Sequence, residues 1–324
     1  MIKILSHIIL ITFLLLSSCN TNEPSDLIVT ATLKGPSAMA MIHMIENEDT
    51  IQGYKMKFLV KNEPNQVKAM ILEESVDFAV VPSTMGALLY NMTGKYILAG
   101  VPVWGTLYLF GSDTSVSGWQ DLKGKKVSLM ARGMTPDIMF RYLAEKNGLN
   151  PDTDLSLDYS FPTHIELANA IAAGVSSLGV ISEPLVSLVM KENPAVKPII
   201  SFNEEWIQLF DAGVPFAQTA LLVRKELAEQ KPGLIKDYLS KLESSIDEVN
   251  MDPSEAAKLI VKYNILPDIS VAKASISRSN LHFSSASEEM YGIQEYFKVF
   301  YNFNPRILGG KLPDEDFYFK EKPD

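Results

Sequence analysis

The chain has 324 residues, of which 47% are hydrophobic, so it is long enough for two domains with substantial cores and too apolar for a disordered protein. Lysine and arginine total 29 against 39 aspartate and glutamate residues, and the resulting net charge of −10 argues against a nucleic-acid partner. The single cysteine, Cys19, excludes an intramolecular disulfide and any zinc site built from cysteines.

The first 19 residues have the features of a secretory signal peptide. A lysine near the start is followed by an apolar core at Ile8 to Leu16, which is too short to favour a permanent membrane helix. The next residues, Leu16-Ser17-Ser18-Cys19, resemble the lipobox of bacterial lipoproteins, in which cleavage precedes the cysteine and the thiol is acylated. This resemblance predicts a signal peptide at 1–18 and a lipidated N-terminus and polar tether at 19–26. The alternatives are an uncleaved anchor or a chance thiol.

Strands and helices alternate over the next 85 or so residues. Predicted strands lie at 27–33, 55–61, 76–82, 96–101 and 106–112. The continuous apolar centre of the third strand is typical of a parallel strand buried on both faces. Pro36 suits the first turn of a helix after the first strand, and Ser83 begins a helix after the third. This alternation predicts right-handed βαβ units in an α/β fold.

The same pattern repeats from Asp113 at an offset of 100 residues. Predicted strands lie at 126–130, 155–159, 178–182 and 196–202, with helices after the first three. Ile171 corresponds to Ile71, and the strand leading to Glu183 corresponds to the strand leading to Ser83. We interpret the halves as two lobes of like architecture, and a chance similarity between βαβ units is the alternative.

After a strand at 215–223 the chain is predicted to be helical to its end. The helices are expected at 232–249, 253–263, 270–277 and 288–301, packed on lobe one. The chain is expected to cross between lobes at about Phe110 to Asp113 and to return at about Gly213 to Gln218. Two such hinge strands permit closure around a ligand. Lobe one is thus predicted at 27–112 plus 214–324, and lobe two at 113–213.

The stretch from Arg132 to Asp137 has the local chemistry of a ligand pocket. A glycine turn leads into a helix whose first turn contains Thr135 and Pro136, which leaves unpaired backbone N–H groups and a partial positive charge facing outward. Turns of this kind occur in every α/β protein, so an ordinary βα connection is the alternative.

With these elements in place, the chain resembles the substrate-binding proteins of ABC importers, in the group that includes nitrate-, taurine- and aliphatic sulfonate-binding proteins and the thiamine-pyrimidine precursor proteins. The matching positions are Trp119 to Val127, Gly133 with Thr135, Tyr142-Leu143, Gly148-Leu149, Ala173-Gly174, Glu183-Pro184 and Pro253 with Glu255-Ala256-Ala257. Ser176-Ser177 departs from the family, which often has an aspartate there, and this difference bears on the ligand class more than on the fold.

The resemblance implies a periplasmic-binding-protein fold of type II, with two lobes of mixed sheet flanked by helices and a ligand between them. It implies an exported, lipid-anchored monomer whose partners are a small ligand, an ABC permease and its ATPase subunit, with no nucleic acid, cofactor or metal. The candidate ligand-binding residues at helix starts and strand ends are Gly35, Pro36, Ser37, Ala38, Ser83, Thr84, Arg132, Gly133, Met134, Thr135, Pro136 and Glu183, with the aromatic residues Trp104, Phe161 and Phe216.

Several of these residues have an open alternative. Arg132 either pairs with an acidic ligand group or is solvated. The hydroxyls of Ser37, Ser83 and Thr135 either bind ligand or only cap their helices. Glu183 either caps its helix or recognises an amine or ring N–H. The aromatic rings either stack on a ligand ring, with Trp104 favoured for that role, or belong to the core.

The predicted function is capture of a small organic solute, such as a sulfonate, a nitrate-like anion or a pyrimidine-type ligand, and its delivery to a permease. A solute-sensing lipoprotein that does not transport is an alternative. An enzyme on the same clamp is disfavoured, because no cysteine follows Cys19, the histidines have no metal-ligand spacing, and the sequence contains neither a nucleophile elbow nor a P-loop.

Overall fold

The computed structural model describes residues 27–47, 50–130, 132–210 and 216–320. The predicted signal peptide, Cys19 and the tether therefore lie outside the described residues. The strands are β1 (Leu27–Leu33), β2 (Thr50–Ile51), β3 (Tyr54–Lys61), β4 (Phe78–Pro82), β5 (Tyr96–Val103), β6 (Leu107–Gly111), β7 (Lys126–Ser128), β8 (Ser156–Asp158), β9 (Leu178–Ser182), β10 (Lys197–Ser201), β11 (Thr219–Arg224) and β12 (Leu281–Ser285).

Helices cover the faces of the sheets formed by these strands. They are α1 (Pro36–Ala40), α2 (Ile42–Asn47), α3 (Pro64–Leu72), α4 (Ser83–Thr93), α5 (Thr135–Lys146), α6 (His164–Ala172), α7 (Leu185–Glu192), α8 (Phe202–Leu209), α9 (Lys225–Gln230), α10 (Pro232–Met251), α11 (Pro253–Lys262), α12 (Ile269–Ile276) and α13 (Met290–Phe303). Short 3₁₀ turns occur at Trp119–Leu122, Pro305–Leu308 and Glu315–Phe317.

Two mixed sheets organise the chain. The seven-stranded sheet has the order β12-β5-β11-β4-β1-β3-β2, and the five-stranded sheet has the order β10-β6-β9-β7-β8. In the first sheet β1, β3 and β4 are parallel and β11 runs antiparallel to both β4 and β5. In the second, β7, β8 and β9 are parallel, and β6 is antiparallel to β9. Each sheet with its helices forms one lobe, which is the α/β architecture predicted from the sequence.

The repeat at an offset of 100 residues is present in the structure. Helices α3 (Pro64–Leu72) and α6 (His164–Ala172), and strands β4 (Phe78–Pro82) and β9 (Leu178–Ser182), are each related by that offset. Both helices begin with a capping box, formed by Glu63 with Gln66 in lobe one and by Thr163 with Glu166 in lobe two. The two lobes therefore share the same αβ unit, including the hydrogen bond from the N-cap backbone N–H to the side chain three residues later.

The first crossing between the sheets lies earlier than the sequence predicted. Strand β5 ends at Val103 in the first sheet and β6 begins at Leu107 in the second, so the crossing is at Trp104–Thr106 and not near Phe110 to Asp113. Gly105 allows a close approach there, because a Cβ at this position would lie 2.3 Å from Cε1 of Phe216 on the returning segment. Trp104 forms a β-bridge with Ala217, so the two crossing segments lie side by side.

The C-terminal part of the chain differs from the prediction in two respects. It contains a strand, β12, between two of the predicted helices, and this strand pairs with β5 at the edge of the first sheet, where no further strand was expected. Its helices also do not pack on lobe one alone, because α12 contacts α7 and α13 contacts α5, which both belong to lobe two. Among the residues described, no helix combines the length and the apolar character needed to span a membrane.

Candidate functional site

The edges of the two sheets that carry the strand carboxyl ends face each other. The first crossing joins the end of β5, which runs in the same direction as β4, to the start of β6. Leu107 at the start of β6 pairs with Ser182 at the carboxyl end of β9. Ligands of open α/β sheets bind outside such edges, and the starts of α1, α3 and α4 on one side and of α5, α6 and α7 on the other lie there.

The lobes touch directly at one point of this gap. Gly35, after β1, has a φ of 94°, and a Cβ on it would lie 3.3 Å from Cδ of Pro184, which follows β9. Glycine is therefore favoured at this position both by its backbone conformation and by the proximity of lobe two. The structure thus brings together the first βα turn of lobe one and the Glu183-Pro184 pair.

Ser83 contributes a buried hydroxyl at the lobe-one edge. It is the first residue of α4 and is 2% exposed, and its Oγ has no hydrogen-bond partner among the described residues. Thr32, near the end of the adjacent strand β1, is also buried with an Oγ1 that has no partner there. Of the other lobe-one candidates, Ser37, Ala38 and Gly35 are buried, whereas Pro36 and Thr84 are half-buried.

Gln218 fixes the two crossing segments beside Ser83. Its side chain accepts a hydrogen bond from the backbone N–H of Thr106 at 2.7 Å and donates one to Oγ1 of Thr106 at 2.7 Å. Its backbone carbonyl accepts the N–H of Ser83 at 3.1 Å. The first residue of α4 is therefore tied to the hinge by its backbone, while its hydroxyl stays unpaired.

A protein carboxylate lies at the start of α5, the lobe-two helix that the sequence singled out. Asp137 is fully buried, and its Oδ2 accepts the backbone N–H of Gly133 at 2.7 Å. Its Oδ1 accepts hydrogen bonds from Nε of Arg141 at 2.8 Å and from the hydroxyl of Tyr159 at 2.6 Å. This internal anion takes the Gly133 amide that the sequence had assigned to a ligand, and Arg141 compensates its charge.

Of the other residues around the start of α5, some are exposed to solvent and some are buried. Arg132 is exposed, with its guanidinium 4.9 Å above the ring of Tyr159, and Met134 is also exposed. Pro136 is buried and Thr135 is half-buried. Burial raises the pKa of the Tyr296 hydroxyl in α13, and the nearby side chain of Thr135 acts in the opposite direction. Thr135 therefore lies close to the C-terminal part of the chain, where α5 contacts α13.

Glu183 is bound by the protein itself. Its side chain is fully buried, and Oε1 accepts Nε of Arg278 at 2.6 Å and Oγ of Ser187 at 2.9 Å. Its Oε2 accepts the backbone N–H of Ser187 at 3.2 Å, so it also caps α7. Burial raises the pKa of the Glu183 carboxyl, while the bonds from Arg278 and Ser187 act in the opposite direction.

The aromatic candidates are occupied by packing within the protein. Trp104 is 1% exposed and donates its indole N–H to the carbonyl of His282 at 2.9 Å. Phe216 is fully buried and stacks on Tyr296 with ring centroids 5.6 Å apart. Phe161 is half-buried against a small apolar cluster of lobe two. Trp104 and Phe216 thus offer no open face to a ligand ring in this conformation.

Sequence reasoning missed the roles of five residues that shape this region. The spacing of Asp137 and Arg141 at i,i+4 was a usable signal for their pairing. Gln218 lay inside the predicted return crossing, although no pattern indicated its partner. Thr32 and Arg278 gave no signal, because strand threonines are common and Arg278 is 95 residues from Glu183. Within the described ranges, no three His, Cys, Asp or Glu side chains come together in a way that could hold a metal ion.

Comparison with known proteins places this architecture in a family. A sequence model of the phosphonate-type periplasmic substrate-binding proteins of ABC transporters matches residues 40–265, which is more than half of the chain. The chain belongs to this family. It is thus a periplasmic-type substrate-binding protein of an ABC importer, as the resemblance of its motifs implied.

Solved structures agree with this assignment. The crystal structure of an ABC transporter protein from Parabacteroides distasonis aligns with this substrate-binding protein at a TM-score of 0.81 and 27% identity, over 92% of this chain and 100% of that one. The aliphatic sulphonate binding protein SsuA from Escherichia coli aligns at a TM-score of 0.72 and 15% identity, over 90% and 97% of the two chains.

The alkanesulfonate-binding protein SsuA from Xanthomonas axonopodis pv. citri, solved with bound MOPS, aligns at a TM-score of 0.66 and 15% identity, over 90% of this chain and 97% of that one. At this identity the two SsuA proteins show the fold alone. No curated protein sequence matches this substrate-binding protein.

Proposed function

We propose that this protein captures a small solute with a tetrahedral acidic group, of the phosphonate or sulfonate type, between its lobes and delivers it unchanged to the permease of an ABC importer. The observation that carries the proposal is the unpaired hydroxyl of Ser83 at the start of α4, on the edge where the lobes meet. A buried hydroxyl without a partner costs about 1–3 kcal/mol, which a ligand oxygen would recover.

The electrostatics of the gap support an acidic ligand. Helix starts from both lobes direct backbone N–H groups and a partial positive charge towards it. The two buried carboxylates described there, on Asp137 and Glu183, are each paired with an arginine, Arg141 and Arg278 respectively. An acidic group that enters the gap therefore meets donors and compensated charges. The phosphonate-type family and the sulfonate-binding neighbours agree with this ligand class.

Isothermal titration calorimetry and thermal-shift assays with methylphosphonate, ethanesulfonate, inorganic phosphate, nitrate and an aminopyrimidine test the ligand class. Binding of a phosphonate or sulfonate, accompanied by a raised melting temperature, is the expected result. Preference for the aminopyrimidine would contradict the acidic ligand, and the absence of any binding by the whole panel would contradict solute capture.

Ser83→Ala is expected to weaken binding of the best ligand about tenfold or more, and to leave the melting temperature of the free protein unchanged or slightly raised. The reason is that the hydroxyl has no partner within the described part of the chain, so its loss removes a ligand contact without breaking an internal bond seen there. Calorimetry and thermal unfolding measure the two effects separately.

Ser275→Ala is a matched control for this change. Ser275 is also fully buried, but its hydroxyl lies within hydrogen-bond distance of the Ser279 hydroxyl, at 3.3 Å. This variant should therefore lose stability and keep its ligand affinity. If Ser83→Ala bound ligand as tightly as the unmodified protein, the start of α4 would not be part of the site.

We also propose that Cys19 carries a lipid that holds the protein at the membrane. Cys19→Ala is expected to move the protein from the membrane fraction to the soluble fraction, because the acylated thiol would be absent. Fractionation followed by immunoblotting measures this, with Ser18→Ala as a control that keeps a small residue before the cysteine and should stay membrane-bound. Membrane association of the Cys19→Ala protein would rule out the lipid anchor.

A further inference from the structure

Helices α7 and α12 lie against each other although their chain neighbours belong to different lobes. Helix α7 follows β9 of the second sheet, whereas α12 packs on α11 and leads into β12 of the first sheet. Their contact is therefore one of the places where the relative position of the lobes is determined.

Ion pairs join the two helices at both ends, and they show that the helices are antiparallel. Glu183, just before α7, pairs with Arg278, just after α12, at 2.6 Å. Lys191, in the last turn of α7, pairs with Asp268, the N-cap of α12, also at 2.6 Å. Both acidic residues lie at helix starts and both basic residues at helix ends, which is the arrangement that the helix dipoles favour.

The Glu183–Arg278 pair, at the inner end of the two helices, is part of the hinge region. Glu183 is fully buried, and its backbone N–H donates to the carbonyl of Thr106 in the first crossing segment. The carbonyl of Arg278 accepts the hydroxyl of Tyr108 at 2.9 Å, and Asn280 donates its side-chain amide to the carbonyl of Gly105. This end of the helix pair is therefore tied to the segments about which the lobes would rotate.

The Lys191–Asp268 pair, at the outer end of the two helices, is held less firmly than the Glu183–Arg278 pair. The side chains of Lys191 and Asp268 are 49% and 38% exposed. The hydrogen bond from Lys191 lowers the pKa of the Asp268 carboxyl. Lys191 is eight residues from Glu183, which corresponds to about 12 Å along a helix at 1.5 Å per residue. A rotation of about 20° about the inner end would move the outer end by about 4 Å, enough to break a hydrogen-bonded ion pair.

We propose that the Lys191–Asp268 pair is a latch that favours the closed arrangement of the lobes, in which Gly35 lies against Pro184 across the gap, and thereby raises ligand affinity, with Glu183 and Arg278 as the pivot. This inference rests on the proposed function for its effect on affinity, since closure matters only to a protein that captures a ligand between the lobes. Its structural part concerns the ligand-free protein. An exposed ion pair changes an equilibrium about two- to fivefold, so the latch would shift the balance between open and closed forms without locking it.

Distance measurements on the ligand-free protein test the latch. In a Cys19→Ala background, spin labels are attached at Leu72→Cys at the end of α3 and at Val175→Cys after α6, which are 45% and 74% exposed and belong to different lobes. Lys191→Met and Asp268→Asn each remove the ion pair, and asparagine keeps the ability to cap α12. Each change is expected to raise the population with the longer label distance about two- to fivefold. The double variant should show no greater effect than either single change, because both remove the same bond.

Lys258→Met is the matched control. Lys258 pairs with Glu255 at 2.6 Å within α11, so its removal breaks an exposed ion pair inside one lobe and should leave the label distance unchanged. Distances that stay unchanged in Lys191→Met and Asp268→Asn, or effects that add in the double variant, would overturn the latch even if the protein binds its ligand. A distance shift in a protein that binds no member of the ligand panel would uphold the latch and count against the proposed function alone.

Discussion

Replacing Glu183 with alanine is expected to lower the free energy of unfolding by about 3–5 kcal/mol. The change leaves the guanidinium of Arg278 without its carboxylate partner at 2.6 Å and removes the acceptor for the backbone N–H of Ser187 at the start of α7. A charge that loses its partner at a largely buried site costs more than the pair itself contributes, because the remaining group keeps its desolvation penalty.

A double-mutant cycle separates these effects. Urea unfolding of Glu183→Ala, Arg278→Met and the double variant, followed by tryptophan fluorescence, gives the three free-energy changes. The double variant should be less destabilised than the sum of the single changes, since it leaves no unpaired charge. Additive effects, or a loss below about 1 kcal/mol in Glu183→Ala, would mean that the two side chains are solvated in solution and that α7 and α12 are not joined at this end.

Replacing Phe216 with alanine is expected to cost about 3–5 kcal/mol through the cavity it leaves. Phe216 is fully buried at the return crossing, where it stacks on Tyr296 and meets the ring of Trp206 edge-on with centroids 6.2 Å apart. These rings come from the crossing segment, from α13 and from α8. Without the contacts of Phe216 to the other two rings, α13 should pack less tightly against lobe two.

Phe303→Ala provides the matched comparison, because Phe303 ends α13 with 48% of its surface exposed. Its truncation should change the melting temperature by little, whereas Phe216→Ala should lower it by several degrees, at about 2–4 °C per kcal/mol for a chain of this size. Similar shifts in both variants would show that the aromatic cluster around Phe216 is not close-packed in solution.

The strands and helices could be predicted because the local spacing of apolar residues in the sequence indicates them. The apolar runs that became β4 and β9 are buried over their first four residues, and Pro36 and Ser83 marked where α1 and α4 begin. The offset of 100 residues could be read from the same pattern. The first crossing was misplaced because Leu107 to Phe110 is a continuous apolar run, and nothing in that run shows to which sheet it belongs.

The turns at the facing sheet edges could be predicted from the sequence, but the contacts of their residues could not. Glycine and hydroxyl residues at helix starts identified the turns around Gly35, Ser83 and Gly133, since the signal is local. Whether a polar or aromatic group at these turns remains available to a ligand depends on protein residues that are distant in sequence. The Arg278 that neutralises Glu183 comes from the far end of the chain, and the ring expected to meet a ligand, Trp104, is covered by residues after 280.

The pairing of the two crossing segments restricts how the molecule can deform. Trp104 and Ala217 form a β-bridge, and Gln218 holds Thr106 through both the oxygen and the nitrogen of its side-chain amide, so the crossings behave as one narrow ribbon. A hydrogen-bonded ribbon bends readily out of its own plane and resists bending within it or shearing along its length. We therefore expect the lobes to rotate relative to each other about a single axis that runs through the crossing segments. Ser83, whose backbone N–H donates to the carbonyl of Gln218, should stay close to that axis during the rotation.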